Sequence, residues 1–341
     1  MRAKHVKLLM VGASVLVVLL PTPGVDAHGG QHASAPVVSV LTKFSADGCA
    51  FGCGSGSTVG PDKALYVTDG AGGRVLRVDP RNGATSVFAA GLPPTLDYVG
   101  IGGAMDVVFL GSTAYALVSV NGPDVGGPSA AGIYRLDPHG SPTLVADLGQ
   151  WSVDHPPVPA FFIPGGVQYA IEAYRGGFLV TDGHHNRVLG VDLDGTVREI
   201  VAYGDEVPTG IEVQGRRVFI THAGPIPHLA ENGRVVSVDV RRSTSTVVAT
   251  GARLLVDVEA GPGGLYALSQ GSWDWPVLPD FEGFPASPNT GSIVRVDKSG
   301  GMTTVVTGLD QPTSFEFIGD RAFVVTLSGA IQTVRMDSNG H

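Results

Sequence analysis

The sequence has little charge, few aromatic rings and almost no cysteine. Of its 341 residues 16% are charged and 7% aromatic, where about a quarter charged is usual. No stretch sustains apolar residues at helical spacing, which argues against a helical bundle. The G-x-S-x-G elbow is missing, and GAGGRV and GIGGAM are glycine turns without the strand-to-helix setting of a dinucleotide site. The apolar run LLMVGASVLVVLL at 8–20 holds thirteen residues, too few for an ordinary membrane span. Two cysteines alone make a weak metal signature.

Glycine is abundant instead, 49 residues, beside 43% hydrophobic residues. That balance suits a large core of short strands joined by tight turns. Arg2, Lys4 and Lys7 precede the apolar run and PTPGVDA follows it, the pattern of an export signal cleaved after Ala27. The expected organisation is a signal peptide at 1–27, a flexible start at 28–35, one folded domain at 36–337 and a tail at 338–341. Cleavage removes three bases and Asp26, taking the formal charge from −9 to −11, a poor match for nucleic acid. The mature chain is expected to be extracellular or periplasmic, free of the membrane and monomeric. In an oxidising compartment Cys49 and Cys53, in GCAFGCG, are expected to pair as a small staple.

A repeat decides the fold class. RVLRVD at 74–79 recurs as GIYRLD, RVLGVD, RVVSVD, SIVRVD and IQTVRMD, ending at Asp137, Asp192, Asp239, Asp297 and Asp337. Each copy has an earlier partner strand (LYVT, AYAL, FLVT, VFIT, LYAL, AFVV), and the first five have a later one, such as TSVFAA. A further strand precedes each unit. Four strands at this period make a β-propeller blade, and six copies predict an all-β, six-bladed β-propeller. The sixth unit ends after its third strand, so PVVSVLTKF at 36–44 is expected to complete it and close the ring.

The LYVTD…RVLRVDP units resemble NHL-type repeats, and the chain over about 36–337 is similar to the ScyD/ScyE family of exported bacterial propellers. The resemblance implies the fold and carries no settled chemistry. The repeat is also similar to that of calcium-dependent lactonases of the gluconolactonase type, whose acidic and Asn ligands have no residue-by-residue match here.

In such a ring the second-to-third and blade-to-blade connections share one face. YVTDGAGGRVLRVD at 66–79 and LVTDGHHNRVLGVD at 179–192 differ mainly in the turn, where Ala-Gly-Gly gives way to His184-His185-Asn186. His222 and His228 belong to the matching loop of blade four, and Trp151 and His155 to the crossing into blade three. Trp273 and Trp275 lie in the blade-five insertion GSWDWPVLPDFEGFPASPNTGS. The five histidines beside the three tryptophans mark a decorated face, read either as a ligand platform or as solvated turns and a hydrophobic plug.

The inner strands carry a second constellation. Stepping back seven residues from the second-strand aromatic or leucine reaches Val59 and Val108 in blades one and two and Glu172, Glu212, Glu259 and Glu316 in the other four, with Asp106 and Asp257 at the upper position two residues away in blades two and five. Strand alternation gives these acids one orientation, expected to be toward the axis. They either bind a cation, with calcium the fitting choice, or bond to backbone and arginine as a structural device. Two functions follow. One is a scaffold holding a small molecule or protein partner on the Trp/His face. The other is a cation-dependent hydrolase or lyase, lactonase-like, acting at the channel mouth.

Overall fold

The computed structural model describes residues 36–44, 54–273 and 284–336. Cys49, Cys53, Trp275 and the segments 1–35 and 337–341 lie outside the described residues. Six four-stranded antiparallel sheets follow one another around a ring. The innermost strands are Ser57–Val59, Gly103–Leu110, Gln168–Tyr174, Pro208–Gln214, Leu255–Gly261 and Pro312–Ile318.

The pattern of side chains explains the order within a blade. Second strands are apolar on both faces and pack between neighbouring blades, so Leu65–Asp69 and Gly177–Asp182 are buried throughout. Outermost strands such as Thr85–Ala90 and Thr244–Thr250 alternate threonine, serine and valine and are mostly exposed. Each seam between blades has its own apolar cluster. Between blades one and two, Tyr66 meets the edges of Phe88 and Phe109 at 4.9 and 4.8 Å.

The recurring threonine of VTD stitches the inner strands. Thr68 Oγ1 accepts from Gly56 N at 2.9 Å and reaches Met105 O of the next blade at 3.3 Å. Thr181 accepts from Ala170 N at 3.1 Å and donates to Thr209 O of blade four.

Blade six is completed as expected. Val38–Lys43 pairs antiparallel with Ala330–Arg335, with Val38 opposite Val334 and Ser39 opposite Thr333, whose hydroxyls bond at 3.0 Å. Leu41 and Phe44 then pack on the seam cluster of Leu65, Val67, Phe323, Val325 and Ile331, which joins blade six to blade one. Among the described residues two short helices depart from the all-strand expectation, the single 3-10 turn Pro123–Val125 and the seven-residue helix Leu148–Asp154. Asp147 caps the latter by accepting from Gln150 N at 2.8 Å.

Deleting residues 36–44 is expected to remove both the fourth strand and the seam packing, and so to abolish cooperative unfolding. A truncated chain with the parent's thermal melt would show that the ring closes without this strand.

Candidate functional site

The repeated VTDG…RVL frame holds an aspartate and an arginine five residues apart across a turn. In blade one Asp69 accepts from Gly72 N at 2.9 Å and from Arg74 Nε at 2.7 Å, and Arg74 stays 36% exposed. In blade three the matching pair is wholly buried, with Arg187 at 2%. Arg187 Nε donates to Asp182 at 3.2 Å, Nη1 to His155 O at 2.8 Å and Nη2 to Ser152 Oγ at 3.0 Å. Its guanidinium lies 5.0 Å from the ring of Trp151, which stacks on His155 at 4.4 Å. Burial acts against the charge of Asp182, but bonds from His185 and Arg187 hold it below the usual carboxylate range.

His184-His185-Asn186 completes this buried assembly. Ile163 N donates to His184 Nε2 at 3.3 Å, and His185 Nε2 donates to Ile163 O at 3.0 Å. Asn186 has φ of 55° and accepts from Glu206 N and Val207 N at 3.0 and 2.7 Å. The two imidazoles and the amide thus hold the crossings on either side of blade three. The expectation of solvated turn histidines is corrected here: both are buried, because the insertion after the helix folds over them.

His222 stands apart from this group. It is 1% exposed, neither ring nitrogen has a hydrogen-bond partner among the described residues, and Glu206 Oε2 lies 3.6 Å from Nδ1. Burial, aided by Arg234, pushes its pKa down to about 3, so the ring is neutral. Tyr203 packs edge-on against it at 4.4 Å.

A funnel opens on the same loop-rich face. Its cavity of about 180 Å³ receives residues from all six blades. Ile101, His228, Trp273 and Phe284 form its upper wall, and Met105, Tyr169 and Ile211 line it lower down. His228 packs against Trp273 with centroids 5.0 Å apart, and its Nδ1 donates to Gly224 O at 2.6 Å. Trp273 Nε1 donates to Phe284 O at 3.3 Å. Of the residues marked on this face, His228 and Trp273 therefore line the funnel, while Trp151, His155, His184, His185 and His222 do not. Phe284 and Ile101 carried no signal of their own in the sequence beyond lying beside a long insertion and a crossing.

Acids line the lower part of the cavity: Asp106, Glu172, Asp257, Glu259 and Glu316. Asp106 and Asp257 act as staples between blades. Asp106 accepts from Val107 N at 2.8 Å and from Ile171 N of blade three at 2.9 Å. Asp257 repeats this with Val258 N and Phe315 N of blade six, both at 2.9 Å. The preceding blade must approach closely in each case. A Cβ on Gly56 would stand 2.1 Å from Asp106 Oδ1, and one on Gly210 2.4 Å from Asp257 Cα. The two devices recur three blades apart.

Burial raises all these acids, and their mutual repulsion adds to the effect. Asp257 rises to about 7 and Glu172 to about 8, while Asp106, Glu259 and Glu316 go well above the usual carboxylate range. Glu212 is raised as well, mainly by burial. A calcium site is one of two alternatives for these acids; the other, a structural device bonded to backbone, describes Asp106 and Asp257. Among the described residues no group of three or more His, Cys, Asp or Glu is disposed to hold a metal ion. As placed, the described acids are therefore not gathered as a calcium site. No helix among the described residues is long and apolar enough to cross a membrane.

No protein-family model and no curated protein matches the sequence. Solved structures do. A gluconolactonase of Xanthomonas campestris aligns over 89% of this chain and 90% of its own, at 11% identity and a TM-score of 0.58. The likeness is one of fold. A virginiamycin B lyase of Staphylococcus aureus, solved with quinupristin, aligns over 88% of this chain and 100% of its own, at 12% identity and a TM-score of 0.53. The PQQ-bound aldose sugar dehydrogenase of Streptomyces coelicolor aligns over 89% and 98%, at 12% identity and 0.54.

Two measurements check this geometry. Replacing Arg187 by Ala leaves Asp182 charged, buried and short of a partner, and is expected to cost about 3–5 kcal/mol in denaturant unfolding. Changing His184-His185 to Ala-Gly should also destabilise, by about 1–3 kcal/mol, since buried backbone partners at Ile163 are orphaned. An unchanged midpoint in both variants would contradict the buried assembly. The second concerns pH. A carboxyl that binds its proton more tightly folded than unfolded favours the native state below its unfolded pKa, and this is lost as pH rises. Stability should therefore fall from about pH 4.5 to about 8, the folded value of Glu172. In Glu172→Gln the slope of Tm against pH over that window should be shallower, and an unaltered slope would remove Glu172 as its source.

Proposed function

We propose that this propeller, of the ScyD/ScyE type by its repeat, is exported and binds a small molecule in the funnel of its loop-rich face. One observation carries the reading: an open cavity of about 180 Å³ with Trp273 and His228 packed together at its upper wall. An aromatic wall over polar groups is the usual make-up of a small-molecule site. The buried histidines of blade three serve by fixing the crossings that frame the face.

A second reading is enzymatic, a hydrolase or lyase in the same funnel. The names of the gluconolactonase and the virginiamycin B lyase support it at the level of fold alone. A specific observation favours it too: Asp257 near 7 and Glu172 near 8 suit general acids at neutral pH.

A thermal-shift screen of small metabolites should find compounds that raise the Tm of the parent by mass action. Trp273→Ala should weaken their binding about tenfold, near 1.4 kcal/mol. Hits that bind the variant equally would move the site elsewhere. Turnover of glucono-δ-lactone, abolished in Asp257→Asn, would favour the enzymatic reading.

A further inference from the structure

The funnel lining is rich in acids and has no strong base. Of its lining residues five are carboxylic acids, and none is lysine or arginine. The acids come from blades two, three, five and six, and Glu212 of blade four adds to the same field. His228, at the upper wall, is the lining residue that could carry a positive charge, and its Nδ1 is already committed to backbone carbonyls.

Resting on the funnel as the binding site, we propose that its ligand is an organic cation, an ammonium group on an apolar or aromatic body, seated with the charge against the carboxyl floor. An anion entering here would oppose the ionisation of these carboxyls and find no lysine or arginine to pair with. A neutral ligand would gain nothing from this surplus of carboxyls, whereas a cation offsets the repulsion that ionising Glu259, Glu316 and Asp257 would bring. A bare metal ion needs three or more donors gathered at bonding distance, and the described residues offer no such group. An ammonium asks for less. Its charge is satisfied by carboxyls spread around it and by hydroxyls such as those of Ser57 and Ser314, which bond each other at 2.8 Å in this wall. Tyr169, Trp273 and Phe284 line the path above, where aromatic faces attract both an apolar body and a cation.

The acids must ionise to receive the charge, so binding should release protons to the buffer at neutral pH. Asp257 and Glu172, raised to about 7 and about 8, are the groups that supply them.

Four probes test the inference by titration calorimetry at pH 7.5: phenethylamine, 2-phenylethanol, 3-phenylpropionate, and calcium chloride alone. The amine should bind at least about tenfold more tightly than the alcohol, and the propionate more weakly than either. Amine binding should release protons, read from its heat in buffers of different ionisation enthalpy. Glu259→Gln with Glu316→Gln should erase the preference for the amine, and Glu172→Gln alone should reduce it and the proton release. Melting curves establish that each variant is folded. Equal binding of amine and alcohol would overturn the charge while leaving the funnel as the site. If none of the four binds, the funnel reading falls with it. Calcium binding that the Gln variants abolish, without an amine preference, would replace the organic cation by a metal.

Discussion

A ring of blades survives only if its last seam is as well packed as the others, and here that seam depends on two parts of the chain far apart in sequence. Val38–Lys43 hydrogen-bonds to Ala330–Arg335, and Leu41 and Phe44 fill the space between blades six and one. Every other feature relies on this closure. The six inner strands converge on one axis only when the circle is complete, and the funnel exists only where they converge. The inter-blade bonds of Asp106 and Asp257 likewise presuppose neighbours held at fixed distance.

The fold was readable because each blade repeats the same instruction. The RVD strand and its VTD partner recur with enough fidelity to count six units, and a sixth unit short of one strand asks for one from elsewhere. The site was less readable, for reasons that differ by residue. Glu172, Glu212, Glu259 and Glu316 could be aligned because strand alternation is strict. Whether a given histidine faces the channel depends on the helix Leu148–Asp154 and the loop behind it, which cover His184 and His185. A helix of seven residues leaves too short a pattern to see. The staples formed by Asp106 and Asp257 were illegible for another reason: their partners are the backbone amides of Ile171 and Phe315, and amides carry no sequence signal.

The turn that distinguishes blade three from blade one illustrates how a repeat is specialised. The frame, an aspartate bonded to an arginine across the turn, is common to both. In blade one the pair is part-exposed and glycine fills the turn. In blade three a helix and loop lie over the pair, and two imidazoles and an amide replace the water that would otherwise satisfy the covered polar groups. The same burial that makes these groups costly also fixes the wall beside the funnel.

Because Val38 pairs with Val334, the first and last strands of the propeller begin and end side by side. The third strand of a blade runs away from the loop-rich face, so both ends meet on the opposite side from the funnel. Whatever the chain carries before Val38 and after Arg335 is therefore joined to the propeller on one side, away from the funnel mouth.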